Sequence, residues 1–114
     1  MTQLTLVGAV EAPRESVYYG TDGCNIKIGL SGSVRRRGGE LKITILLAFP
    51  GGILDERRHH RMWEKYRIGD SEWFRPADEL LLWITTQLEP RSRELAALQY
   101  VITQVNKTRR NRAA

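Results

Sequence analysis

The amino-acid sequence predicts an α+β domain built around a small sheet. Three observations lead to this fold class: a β-hairpin pattern at 16–29, a continuous apolar run at 43–49, and helical periodicity in the C-terminal half. At 114 residues the chain suffices for one domain with a modest core. We expect an N-terminal extension at 1–15, with an edge-strand pattern at 4–10, a main domain at 16–89 and a basic helix and tail at 90–114.

Composition argues against several classes of protein. Apolar residues make up 41% of the chain and charged residues 27%, which is typical of a globular protein and not of a disordered one. No window approaches the ~18 apolar residues of a membrane span, and no secretory signal pattern is visible. Cys24 is the only cysteine, so we expect no internal disulfide and a reducing, cytoplasmic setting.

Positive charge is concentrated toward the C-terminus. Residues 91–114 contain six basic side chains against Glu94 alone, which accounts for the whole net charge of +5. Such clustering favours an anionic partner, most simply nucleic acid. A solvated tail that aids solubility explains the same charge equally well.

The hairpin is the clearest local signal. Two β-prone runs flank Asp22-Gly23, whose residues tolerate the positive φ angles of a type I′ turn. A two-residue loop pairs Tyr18 directly with Lys27, with their Cβ atoms about 5 Å apart. The opposite, core-facing side then carries Val17, Tyr19, Ile26 and Ile28.

The pairing of Tyr18 with Lys27 suggests acid–base chemistry. An adjacent ammonium stabilises a phenolate, so it should lower the pKa of Tyr18 and make it a better proton acceptor. An ordinary aromatic–cation pair on the surface is the alternative interpretation.

The segments after the hairpin predict one short helix, one strand and three longer helices. Ser33 offers an N-cap for a helix through Arg37. The apolar, β-branched run at 42–49 suits a strand that is covered on both faces, and Pro50-Gly51-Gly52 stops it. The longer helices are predicted at 53–66, 77–88 and 92–107.

The last helix carries an apolar stripe with helical spacing. We expect this stripe to pack on the domain's own core in a monomer, with dimerisation through it as the alternative. The stripe consists of Leu95, Leu98, Ile102 and Val105.

The helix at 53–66 contains two acid–histidine pairs at a spacing of one turn. Glu56 precedes His60, and Asp55 precedes His59. A carboxylate with a histidine one turn on can hold Mg²⁺ through water and contact a phosphate. Spacing does not decide which carboxylate faces a cleft, and a plain surface helix is the alternative. The face of the first pair continues through Trp63 and Arg67.

Two further motifs lie outside this helix. The guanidinium groups of Arg35-Arg36-Arg37 could clamp a phosphate or form a solvated basic turn. Glu72-Trp73-Phe74 follows a loop, and its two aromatic side chains favour a core plug over a platform for stacking bases.

Taken together, these motifs resemble the GIY-YIG nuclease superfamily. Val17-Tyr18-Tyr19, Lys27-Ile28-Gly29 and then Arg37 follow its first three motifs. Glu56, His60, Trp63 and Arg67, followed by Glu72-Trp73-Phe74-Arg75, are similar to its short phage-associated branch. The likeness covers about 16–84.

The resemblance implies a three-stranded antiparallel sheet of hairpin, helix and strand, flanked by helices, and Mg²⁺-dependent, one-metal hydrolysis of DNA. By position it matches Tyr18 to the tyrosine of the first motif, Arg37 to the arginine of the next helix, Glu56 to the metal-binding glutamate and His60 to the branch's histidine, and it places Lys27 where many members have a second tyrosine. We expect Tyr18 to act as the general base, Arg37 to clamp the phosphate, and His60 to orient a phosphate or protonate the leaving group.

The sequence departs from the family at several points, among them Ser16 in place of a glycine and a shorter segment between Leu41 and Ile43. Gly38 stands where a leucine usually anchors the first helix, and the asparagine that closes the site in several members has no evident counterpart. A catalytically inactive DNA-binding or interaction module on the same fold is therefore the alternative function. The candidate DNA-binding residues are Arg35, Arg36, Lys107, Arg109 and Arg110.

Overall fold

A computed structural model of the protein describes residues 15–89 and 92–113, with side chains except at 35 and 111–113. The edge-strand pattern at 4–10 lies outside the described residues. Elements follow one another in the order β1 (Ser16–Thr21), β2 (Ile26–Ser31), α1 (Val34–Leu41), β3 (Thr44–Pro50), α2 (Ile53–Met62), a 3₁₀ turn (Glu64–Tyr66), β4 (Trp73–Phe74), α3 (Asp78–Thr86) and α4 (Arg93–Ala113).

The predicted α+β class is confirmed, and the sheet is antiparallel with the strand order β3-β1-β2-β4. It has four strands rather than the expected three. The additional strand is the two-residue β4, in which Phe74 pairs with Ile26 and Trp73 with Lys27. Two residues are too few to show an alternating pattern in the sequence.

The hairpin exists, but the predicted two-residue loop is wrong. Residues 22–25 form the loop, because side chains close a wider turn. Oδ1 of Asp22 accepts hydrogen bonds from the backbone N–H of Cys24 and of Asn25, both at 2.9 Å. The Thr21 hydroxyl donates to the Asn25 carbonyl at 2.8 Å, and Gly23 supplies the positive φ of 100°.

The wider loop changes the strand register by two residues. Tyr18 lies opposite Gly29, and Lys27 lies opposite Gly20, so Tyr18 and Lys27 are not directly paired. A shift of two keeps every side chain on its predicted face, whereas a shift of one would have inverted them. The predicted core face is confirmed, since Val17, Tyr19, Ile26 and Ile28 are fully buried.

Two apolar clusters cover the two faces of the sheet. The main core lies between one face and the helices that follow β3, and it includes Leu98 and Val101 of α4. A smaller cluster of Tyr18, Val34, Ile45 and Ala48 lies on the other face, against which α1 packs. The expectation that the apolar strand is covered on both sides is therefore confirmed for β3.

Gly38 allows α1 to pack closely on β3. A Cβ atom at this position would lie 2.9 Å from Cγ1 of Ile45, which is closer than real Cβ contacts allow. A leucine at this position would not fit without a shift of Ile45. Ser33 occupies the predicted N-cap position of α1, although its side chain makes no capping hydrogen bond, and the helix continues past the predicted Arg37 to Leu41.

The C-terminal helix is longer than the predicted 92–107 and continues through Ala113. Its start is capped by the Ser92 hydroxyl, which accepts a hydrogen bond from the N–H of Leu95 at 3.0 Å. Within the described ranges, no helix is long and apolar enough to cross a membrane.

Candidate active site

Glu56 is a buried carboxylate whose side chain has no direct partner in the described part of the chain. It is 6% exposed, and it makes no hydrogen bond or ion pair with any residue that the structure describes. Burial raises the pKa of this carboxyl group, and the negative charge of Glu72 raises it further, whereas His60, Lys27 and Arg57 lower it. The carboxylate lines a cavity of about 480 Å³.

Asp55, the other carboxylate in the first turn of α2, has a structural role. Its Oδ2 accepts a hydrogen bond from the N–H of Gly52 at 3.0 Å, which caps the helix. Its Oδ1 lies 3.6 Å from Nη1 of Arg58. A Cβ at Gly51 would lie 2.6 Å from the same Oδ2, so this cap also needs a glycine at 51. Asp55 therefore stabilises the start of α2, while Glu56 faces the cavity.

His60 connects α2 to the sheet beside Glu56. Its Nε2–H donates a hydrogen bond to the carbonyl oxygen of Ile28 at 2.8 Å, and its ring packs against Phe74. In the neutral imidazole this leaves Nδ1 as a hydrogen-bond acceptor. The histidine thus fixes the position of the helix turn that carries Glu56, and both residues line the same cavity.

His59, the histidine of the other predicted pair, belongs to an aromatic cluster instead. The indole N–H of Trp63 donates to the Tyr19 hydroxyl at 3.1 Å, and the Tyr19 hydroxyl donates to Nδ1 of His59 at 2.6 Å. Phe49 and Trp83 pack around this chain of hydrogen bonds. Burial lowers the pKa of His59.

Lys27 pairs with Glu72, which the short strand β4 brings to the site. The Lys27 Nζ lies 2.9 Å from Oε1 of Glu72 and 5.4 Å from the centre of the Trp73 ring. The backbone N–H of Ile28 donates to the Glu72 carbonyl at 2.9 Å, which fixes this part of the chain against β2. Of the two aromatic residues, Phe74 is fully buried as a core plug, whereas Trp73 packs on the lysine.

The expectation that Lys27 lowers the pKa of Tyr18 is wrong. The pKa of Tyr18 is raised to about 12, chiefly by burial and by the negative charge of Glu72. Glu56 also raises it, and only Arg37 lowers it. Lys27 has no such effect, since the register places Tyr18 opposite Gly29 and the ammonium is paired with Glu72.

Arg37 lies on α1 and lines a second cavity, of about 500 Å³. Its side chain is exposed and makes no ion pair with the described residues. Its neighbour Arg36 forms an exposed ion pair with Glu40 at 3.5 Å, while the side chain of Arg35 is outside what the structure describes. The guanidinium of Arg37 therefore lowers the pKa of Tyr18 from a separate cavity and does not share the one lined by Glu56.

Arg67 does not extend the face of α2, because that helix ends at Met62. Its Nε donates to the carbonyl of Ser71 at 2.8 Å, and its Nη2 donates to the carbonyl of Asp70 at 3.3 Å. These hydrogen bonds order the loop that leads to Glu72. The sequence motif Glu72-Trp73-Phe74 marked this loop, but nothing in it indicated that Glu72 would reach Lys27.

The basic residues of α4 differ in their availability to a ligand. Arg109 donates two hydrogen bonds to the carboxylate of Asp78, at 2.9 and 3.1 Å, and so connects α4 to the start of α3. Lys107 and Arg110 are exposed and form no ion pair within the described part of the chain.

Comparison with known proteins finds no matching family model, no matching curated protein and no matching solved structure. The resemblance to GIY-YIG nucleases therefore rests on the residues of the sequence motifs alone. Among the described residues, no group of three or more histidine, cysteine, aspartate or glutamate side chains could hold a metal ion.

Proposed function

We propose that this protein is a Mg²⁺-dependent endonuclease that hydrolyses phosphodiester bonds in DNA. The observation that carries the proposal is Glu56, a buried carboxylate that faces a cavity and has no hydrogen bond or ion pair with the described residues. Burying an uncompensated charge is costly, and a bound cation would remove much of that cost. The GIY-YIG-like motifs place a metal-binding glutamate at the same position.

The residues of the cavity fit Mg²⁺ better than Zn²⁺. Magnesium keeps several waters and is commonly bound through one or two carboxylates together with substrate phosphates. A structural zinc site needs four protein ligands and a catalytic one needs three, and the described residues offer no such group. Glu56 would hold the Mg²⁺, which when bound would neutralise charge on the phosphate and on the leaving oxygen.

Three further side chains would orient the substrate and handle the proton, and one of them, Arg37, lies at a separate cavity. Tyr18 would accept the proton of the attacking water, although on the order of one molecule in 10⁵ carries a phenolate at pH 7 when the pKa is about 12. Arg37 would bind the non-bridging oxygens of the phosphate. His60, fixed to Ile28 by its Nε2–H, would hold Glu56 in place.

Lys27 has a different role from the one that the predicted hairpin register suggests. It neutralises Glu72 through their 2.9 Å ion pair and lowers the pKa of Glu56. Both effects reduce the repulsion between two carboxylates of one cavity. Lys27 would therefore keep Glu56 ionised and ready to bind a cation, rather than activate Tyr18.

The test is Mg²⁺-dependent nicking of supercoiled plasmid. We expect Tyr18→Phe and Glu56→Gln to lose most of the activity of the wild type. The matched controls Tyr100→Phe and Glu94→Gln make the same chemical changes on α4 and should nick normally. Equal activity of the wild type, Tyr18→Phe and Glu56→Gln would contradict the proposed mechanism.

A second candidate function is a non-catalytic DNA-binding module on the same fold. The raised pKa of Tyr18 and the position of Arg37 at a separate cavity favour it. Such a protein would bind DNA with a steep salt dependence, and its binding would weaken on removal of Lys107, Arg109 and Arg110. It would not cut DNA in the presence of any divalent metal ion.

A further inference from the structure

Helix α2 presents two parallel stripes of side chains to one cavity. The first stripe is Glu56 and His60, which are buried. The second is Arg57 and Arg61, which follow them by one residue each, are exposed and line the same cavity. The two arginines are one helical turn apart, so they stand on one face of α2.

Neither guanidinium group of the second stripe has a partner among the described residues. The side chains of Arg57 and Arg61 make no hydrogen bond or ion pair there. The remaining arginine of the cavity, Arg67, is bonded to the carbonyls of the 67–73 loop and lies 3.4 Å from Glu64. On the other side of the helix, Arg58 pairs with Asp55.

Two of the four acidic side chains of the cavity are paired with basic side chains. Glu72 is paired with Lys27, and Glu64 lies within ion-pair distance of Arg67. Glu56 is the proposed ligand of the cation, and Asp70 is the remaining carboxylate. The stripe of Arg57 and Arg61 is therefore left to attract an anion that approaches Glu56.

The spacing of this stripe suits a nucleic-acid backbone. Four residues of α-helix advance by about 6 Å, which corresponds to roughly two phosphate steps along the axis of one DNA strand. Guanidinium groups bind phosphate oxygens bidentately and are always charged. Two guanidinium groups at this spacing could hold two phosphates, about two steps apart, on a strand that passes the cavity.

We infer that Arg57 and Arg61 bind the backbone phosphates of the DNA strand beside Glu56. The inference rests on the proposed nuclease function and names a binding surface for its substrate. The DNA then runs along α2.

The test is the binding of a short fluorescein-labelled DNA duplex, measured by anisotropy in EDTA so that nothing is cut. Removing one phosphate contact reduces the slope of log affinity against log salt by about 0.9 and weakens binding at moderate salt by roughly threefold. We expect both effects for Arg57→Gln and for Arg61→Gln. The matched control Arg58→Gln removes the same charge from the other side of α2 and should keep the wild-type slope.

Two further variants separate charge from folding. Arg57→Lys and Arg61→Lys should retain most of the salt slope, and all variants should melt near the wild-type temperature. Slopes for Arg57→Gln and Arg61→Gln that equal the slope of Arg58→Gln would overturn the inference, even if the wild type nicks plasmid. A wild type with no salt-dependent DNA binding would also overturn it. Reduced slopes in a protein that cuts nothing would support this surface and count against the nuclease.

Discussion

The ring of Tyr18 lies directly against the backbone of Gly29 across the β1–β2 pair. A Cβ atom added at Gly29 would lie 2.6 Å from both Cζ and the hydroxyl oxygen of the tyrosine, and 2.8 Å from its Cε2. The two residues are opposite each other in the strand register. The glycine of the Lys27-Ile28-Gly29 motif therefore provides the space in which the phenol lies.

Replacing Gly29 by alanine should displace Tyr18 and destabilise the fold. Overpacking of this kind costs about 1–3 kcal/mol, and urea denaturation would measure it. Gly39→Ala is the matched control, because a Cβ there meets nothing within 4 Å and alanine favours the helix by roughly 0.5–1 kcal/mol. A Gly29→Ala variant as stable as the wild type would show that Tyr18 has room to move.

Glu56→Gln should stabilise the protein at neutral pH. The pKa of Glu56 is raised in the folded chain, so its stabilising contribution is present below the ordinary value of about 4.5 and is lost as the pH rises through the folded pKa. At neutral pH the ionised carboxylate therefore destabilises the folded state, and its removal should raise the melting temperature by a few degrees. The gain should vanish below about pH 4.5.

Melting curves with and without Mg²⁺ distinguish the removal of a buried charge at Glu56 from a general improvement in packing. Millimolar Mg²⁺ should raise the melting temperature of the wild type, because an ion that binds only the folded state stabilises it. It should leave Glu56→Gln unchanged, whereas Glu94→Gln should respond like the wild type. A Mg²⁺ response that survives in Glu56→Gln would place the ion elsewhere.

Local patterns predicted most of the fold, while contacts distant in sequence decided most of the site. Alternation along 16–29 identified the core face, and the apolar run at 43–49 identified a strand covered on both faces. The predicted loop length is wrong because the side chains of Thr21 and Asp22 close a wider turn. A two-residue loop would pair Tyr18 with Lys27, whereas the observed loop places Tyr18 opposite Gly29.

The sequence contains enough information to predict that Glu56, and not Asp55, faces the cavity. Gly52 precedes α2 as its N-cap, and Asp55 stands three residues later, where an acidic side chain commonly caps the helix. The ion pair of Lys27 and Glu72 could not be predicted from the sequence, because it depends on a two-residue strand and on the loop that Arg67 orders.

The stability of the protein should fall in mildly acidic solution because of His59. Burial lowers its pKa below the ordinary value of 6.5, so its contribution is complete above that pH and is lost as the pH falls toward the folded pKa. The physical reason is that protonation would add a charge where Nδ1 now accepts from Tyr19. Melting curves from pH 8 to about pH 5 should show this loss in the wild type and a flatter profile in His59→Gln; parallel profiles would contradict it.

The rate of nicking should rise with pH if Tyr18 is the general base. With a pKa of about 12, the phenolate fraction grows about tenfold for each pH unit throughout the neutral and mildly alkaline range. Single-turnover rates at saturating Mg²⁺ should therefore increase steadily up to the pH at which magnesium hydroxide precipitates. Tyr18→Phe should be slow and lack this dependence, while Tyr100→Phe should follow the wild type. A wild-type rate that levels off near pH 7 would assign the proton transfer to a group with a much lower pKa than Tyr18.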